Sequence, residues 1–243
     1  MNAAATTTRP RALCVAVLGA ESTGKTTLAQ GLALSLAAMP GVEGSAEAAT
    51  PLRTAWVPEV LRQWCDEQGR TPRAHEQAAI LEEQHARIEA AAQDHDVVIC
   101  DTTGLMTTVY SKLIFGDRSL HAQAVALHRR IGFSLLTALD LPWVPDGHQR
   151  DGPQVREPVD RAIRALLLNH ALPFAVIGGS GPARLQQALA AVAPLLRQLS
   201  NNAPAPAGLF TRLAADGAQR GGWSCECCGD APYERALRRV QAL

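Results

Sequence analysis

The sequence predicts an α/β fold in which five parallel strands form one sheet with helices on both faces. Three observations carry this. Short apolar runs alternate with longer stretches of helical spacing from about residue 12 to residue 199. The runs are too continuously apolar for a sheet with one wet face. A glycine-bounded polar loop, "GAESTGKTT", joins the first run to the first helical stretch.

Taken in order, Ala12–Leu18 reads as a strand, Lys25–Ala38 as a helix and Arg53–Pro58 as a second strand, followed by helices at Val60–Gln68 and Pro72–Asp94. "DVVICD", Asp96–Asp101, is the third strand, with helices at Leu105–Phe115 and Leu120–Ile131. "FSLLTALD", Phe133–Asp140, is the fourth strand and Glu157–Asn169 the next helix. "PFAVIGG", Pro173–Gly179, is the fifth strand, and Ala183–Leu199 closes the domain as a helix. No fixed-period repeat interrupts the pattern. Residues 1–10 are small and polar and are expected to be disordered, 11–200 form the main domain, and 201–243 are a linker, "SNNAPAPAG", with a C-terminal appendage.

Composition narrows the partners. A chain of 243 residues with 47% hydrophobic content can bury a substantial core. Its 23 basic and 23 acidic residues cancel, and no stretch mixes basic residues with aromatics, so neither nucleic acid nor an anionic membrane is the expected partner. No apolar run reaches the roughly 20 residues that span a bilayer. A cytoplasmic location is expected, with Cys14, Cys65 and Cys100 as reduced core thiols.

The loop carries the chemistry. Gly19-Ala20-Glu21-Ser22-Thr23-Gly24-Lys25-Thr26, continuing to Thr27, satisfies GxxxxGK[ST] between a strand and a helix. Its glycines let successive backbone N–H groups turn inward and the helix presents its positive end; Lys25 would reach the outer phosphates and Thr26 would ligate Mg2+. Lys25 is one of only two lysines among the 23 basic residues, in a chain that otherwise uses arginine. Binding of a nucleoside triphosphate follows.

Three further sites are expected at the sheet edge beyond the strand C-termini. Asp101 ends the third strand and would serve the metal, or else cap the next helix. Glu59, after the second strand, would accept the proton of a substrate hydroxyl or merely complement a helix dipole, and Arg62 one turn later would hold that carboxylate or a substrate oxygen. The segment from Leu139 to Ile163 carries Arg150, Arg156 and Arg161 and reads as an arginine-bearing lid over the phosphates, or as a solvated loop. Trp56, Trp64 and Trp143 offer aromatic surface to a planar ring, with core packing as the ordinary alternative.

"GAESTGKTTL", "VPEVLR", "VICDTTGLMTTVYSKLIFG" and "PWVPDG" together resemble the kinase domain of NadR-type proteins, the ribosylnicotinamide kinases of NAD salvage, over residues 12–197. The resemblance implies a P-loop nucleoside-kinase-like fold that transfers the ATP γ-phosphate to the 5′-hydroxyl of nicotinamide riboside. It implies an ATP site at Gly19–Thr27, Asp101 at the metal or the substrate hydroxyl, Glu59 and Arg62 as a Glu-x-x-Arg pair, and Arg150 and Arg156 as lid arginines. Arg150 falls one residue away from the family's Asp-Gly-x-Arg spacing. NadR proteins usually carry an adenylyltransferase domain first; only about ten residues precede the first strand here, so the chain is not expected to make NAD itself.

The tail "WSCECCGD" places Cys225, Cys227 and Cys228 together. Zn2+ usually takes four ligands from separated pairs, so an exposed oxidisable segment is the stronger reading and zinc the weaker. Competing with the nicotinamide riboside kinase are a kinase for another nucleoside or metabolite and a regulatory ATPase switch. A kinase would need its acceptor for turnover; a switch would not.

Overall fold

The computed structural model describes residues 12–39, 51–145 and 152–201. The expected N-terminal segment, Arg150 and the region with Cys225, Cys227 and Cys228 lie outside the described residues. Strands β1 (Leu13–Leu18), β2 (Thr54–Val57), β3 (Val97–Asp101), β4 (Phe133–Thr137) and β5 (Phe174–Ile177) form one sheet in the order β2-β3-β1-β4-β5. All four neighbouring pairs are parallel.

Strand periodicity explains why the runs are apolar throughout. Along β1, Ala16 and Leu18 enter one core layer with Leu81, Met106, Val109, Ile163 and Leu167, while Val15 and Val17 enter the other with Leu28, Leu32, Leu36 and Val192. The first layer lies under α3 (Gln77–Asp94), α4 (Gly104–Phe115), α5 (His121–His128) and α6 (Arg156–Asn169). The second lies under α1 (Lys25–Ala37) and α7 (Gly181–Asn201). A polar residue at a central β1 or β3 position would have no wet face to turn to.

Two boundaries move for identifiable reasons. The helix expected from Pro72 starts at Gln77, after a 3-10 turn at Ala74–Glu76. The Glu76 carboxylate accepts the Arg73 N–H at 2.7 Å and two Arg70 guanidinium bonds at 2.7 and 2.8 Å, which fixes the turn and starts the helix beyond it. The helix expected at Leu120–Ile131 spans His121–His128, because Arg130 and Ile131 donate to carbonyls only three residues back and tighten the end. Helix α2 (Val60–Gln68) ends on Gly69 at φ +64°, a left-handed stop that suits glycine.

Candidate active site

Register places the site. Val17 of β1 pairs with Asp101 of β3, so the acidic residue stands where β1 is about to enter the loop at Gly19. Val57 of β2 pairs with Cys100, which brings Glu59, two residues further on, level with Thr102. Lys25, Glu59 and Asp101 therefore meet at the C-terminal edge of the sheet, as the sequence predicts.

The loop is braced from below. Gly19 sits at φ +153°, and a Cβ there would overlap the Thr137 hydroxyl at the end of β4. Only glycine fits that position. The Thr137 hydroxyl donates to Thr23 Oγ1 at 2.7 Å, and Thr23 donates to the Ala20 carbonyl at 2.8 Å. Gly24, at φ +74°, begins α1. Ser22 accepts the Val144 N–H at 2.8 Å, docking the "PWVP" segment on the loop. Arg184 of α7, almost wholly buried, donates to the Thr23 carbonyl at 2.9 Å, to the Gly179 carbonyl at 2.6 Å and to Asp140 at 2.8 Å. It ties the loop to the ends of β4 and β5, a role that its place in an amphipathic helix does not reveal from sequence.

The charged groups are strongly coupled. The Lys25 ammonium donates to the Ala20 carbonyl at 2.9 Å. Burial pushes its pKa down, opposed by the charges of Glu59 and Asp101. Burial also raises the Glu59 carboxyl above the usual range against the pull of Lys25, and the Thr102 hydroxyl donates to it. Asp101 is raised by burial too, partly offset by a hydrogen bond from Thr26 and by the charge of Lys25. Arg62 pairs with Glu59 at 3.8 Å. Thr102 holds a left-handed φ of +69°, an outlier for a β-branched residue, at the point where its hydroxyl meets Glu59. Sequence reading passes over Thr102; the only signal is its place directly after the strand-ending acid.

From this cluster opens a cavity of about 600 Å3. One wall is the loop from Glu21 to Thr27; the other combines Leu61, Arg62 and Cys65 of α2, Thr71–Arg73, Gln77, and Tyr110, Ile114 and Phe115 of α4. Ile114 and Phe115 are 58% and 39% exposed, unusual for large apolar residues unless something covers them.

Two expected aromatic contacts need correction. Trp56 packs against the core layer under α1 and α7 and does not line the cavity, because its strand position points it to the face opposite α3 and α4. Trp143 is half-buried beside the loop's docking segment and does not line the cavity either. The Trp64 ring instead carries the Arg70 guanidinium 4.7 Å from its centroid. Arg156, the first residue of α6, is buried with its Nε and one Nη lacking a hydrogen-bond partner among the described residues, and it lies outside the cavity lining.

This fold and this loop define a P-loop nucleotide-binding protein with the architecture of the nucleoside kinases. A family model described as "AAA domain" matches residues 14–184, and the chain belongs to that family. Among solved structures it is similar to NadR protein in complex with NR, at 17% identity and a TM-score of 0.59, covering 82% of this chain and 52% of that one. A second structure, of NadR protein in complex with NAD and AMP-PNP, matches at 19% identity and a TM-score of 0.57, covering 81% and 51%. The chain thus spans about half the length of these NadR structures. Thymidylate kinase from Ehrlichia chaffeensis matches at 15% identity and a TM-score of 0.51, covering 77% of this chain and 100% of that one. No curated protein sequence matches the chain. Among the described residues no helix is long and apolar enough to cross a membrane.

Proposed function

We propose that the protein is a cytoplasmic ATP-dependent kinase that phosphorylates the hydroxyl of a nucleoside-like acceptor, with nicotinamide riboside as the favoured substrate. The observation that carries this reading is the cavity: it begins at the phosphate loop, passes the Glu59 and Arg62 pair and ends on an apolar wall of Leu61, Tyr110 and Phe115. An ATPase switch has no need of such a compartment beside its phosphates. The likeness in fold to NadR bound to NR supports the choice of acceptor.

Phosphoryl transfer is mostly positioning and charge neutralisation. Backbone N–H groups of Gly19–Thr27 and the N-terminus of α1 hold the ATP phosphates, and Lys25 leaves the Ala20 carbonyl to meet their outer oxygens. The buried Oδ1 of Asp101 has no hydrogen-bond partner among the described residues, and its carboxylate faces the Thr26 hydroxyl. This oxygen pair fits Mg2+, which takes few protein ligands. The metal supplies neutralisation of the charge on the phosphate oxygens. Glu59 takes the acceptor's hydroxyl proton: burial makes it more basic than a free carboxylate, against the opposing pull of Lys25 and Arg62. Arg156, buried outside the cavity lining, would have to move to close over the transferred group together with Arg150, and its Nε and Nη that lack a partner among the described residues suit a phosphate oxygen.

Incubation of the purified protein with Mg-ATP and nicotinamide riboside, followed by mass spectrometry, is expected to yield nicotinamide mononucleotide. Failure to form it while an ATP analogue binds would remove this acceptor, and a panel of other nucleosides in the same assay would identify the replacement.

A further inference from the structure

The chain's second lysine stands apart from the phosphate loop. Lys112 of α4 lines a separate cavity of about 200 Å3 against α5 and α6, together with Arg118, His121 and His170. The Thr108 hydroxyl and the Asn169 amide add neutral polar groups. His121 and His170 approach with their Nε2 atoms 3.0 Å apart and their rings tilted by 57°.

Among the described residues no carboxylate lines this cavity. Asp117, beside Arg118 in the chain, accepts instead from the N–H and hydroxyl of Ser119 and from the hydroxyl of Ser111. Asp160 of α6 is held by Arg164 at 2.6 Å. Neither Lys112 nor Arg118 forms an ion pair among the described residues. Lys112 stands in the last turn of α4, where the helix dipole favours a cation, but this accounts for only one of the four basic groups. Two permanent cations and two imidazoles are thus gathered with nothing of opposite sign among them.

We propose that this cavity binds a phosphate group, held by Lys112, Arg118 and the His121–His170 pair. The two ring nitrogens are hydrogen-bonded to each other, and an oxyanion that replaced this bond would accept from both, while the flanking cations supply charge-assisted bonds. The volume is below the ~300–1,000 Å3 of sites for drug-sized ligands, so one phosphate fits, with a short organic stem at most, and a whole nucleotide does not. Burial, and then the charges of His170, Lys112 and Arg118, hold the His121 pKa below its ordinary value. A bound anion opposes that field and favours the protonated form of His121. The site lies across α4 from Tyr110, Ile114 and Phe115 and does not depend on which acceptor the larger cavity takes.

Nitrogen-15 spectra of the histidine side chains, assigned with His121→Gln and His170→Gln, read the site directly. Titration with inorganic phosphate or with glycerol phosphate is expected to shift the resonances of both rings and to raise the pKa of His121. Because Lys112 and Arg118 are exposed, Lys112→Gln with Arg118→Gln should leave the fold intact and weaken binding about tenfold or more. Tighter binding of the ester would identify an organic phosphate as ligand; equal or weaker binding would identify the free anion. The proposal is overturned if neither compound moves these two rings beyond what chloride does at equal ionic strength, or if the double variant binds as well as the wild type.

Discussion

The two walls of the main cavity are built in opposite ways. On the donor side each part of the loop is held by a named partner: Gly19 against Thr137, Thr23 between Thr137 and Ala20, and the whole turn tied by Arg184 to the ends of β4 and β5. The proposed acceptor side has an apolar shelf, with Ile114 and Phe115 exposed and Leu61 and Cys65 also lining the cavity, beside the polar Arg62, Arg73 and Gln77. Phosphates are the same in every nucleoside triphosphate, so a rigid polar cradle serves them all. An acceptor is selected by shape and apolar area, which few fixed hydrogen bonds can encode. The motif therefore declares the donor, and the acceptor must be read from packing.

The largest expected effect falls on the seam between the walls. Glu59→Gln should lower the rate of phosphoryl transfer by about 10^2 to 10^4-fold while an ATP analogue still binds. Full activity in this variant would pass the proton to Asp101. On the donor side, Gly19→Ala forces a Cβ into Thr137 at a strained φ, and a loss of roughly 3 kcal/mol, about a hundredfold in nucleotide affinity, is expected by calorimetry. Arg184→Gln breaks the brace without touching nucleotide. A loss of about 2 kcal/mol in stability is expected from denaturant unfolding, with weaker nucleotide binding, because the buried Thr23 carbonyl is left unsatisfied.

Smaller effects belong to the acceptor side. Phe115→Ala should raise KM for the acceptor by about tenfold, since roughly 1–2 kcal/mol of apolar contact is lost, and leave the affinity for ATP unchanged. A change in ATP affinity instead would mean that the two walls are not separable. The smallest is a pH effect on stability. Burial raises Glu59 in the folded state, so its contribution is present below the unfolded pKa and is lost as pH rises through the folded one. Glu59→Gln is thus expected to be more stable than wild type near neutral pH, the gap closing toward acid. In activity the sign is opposite: wild-type turnover should fall on acidification at a higher pH than an ordinary glutamate would give.

Much of this is legible in the sequence because central strands of a parallel sheet are apolar on both faces. Val15–Leu18 and Val97–Cys100 cannot be mistaken for amphipathic elements, and the acid at the end of such a run can only emerge at the edge. Trp56 fails for the same reason. In a strand apolar on both faces, composition does not say which side a residue takes, and Trp56 takes the side of α1. The shift of α3 to Gln77 depends on side-chain bonds from Arg70 and Arg73 to Glu76, which no periodicity reports. Arg184 and Thr102 act through partners about 160 and 40 residues distant, respectively, in the chain. Such contacts exist only once the sheet order is known.

The central claim is that a donor cradle and an acceptor shelf form one kinase site. It is tested most directly by the dependence of ADP release from Mg-ATP on added nicotinamide riboside. The account predicts that turnover requires the acceptor and yields one mononucleotide per ADP. ADP release at the same rate with and without any acceptor, nucleosides other than nicotinamide riboside included, would contradict it and mark the protein as an ATPase whose cavity serves another purpose.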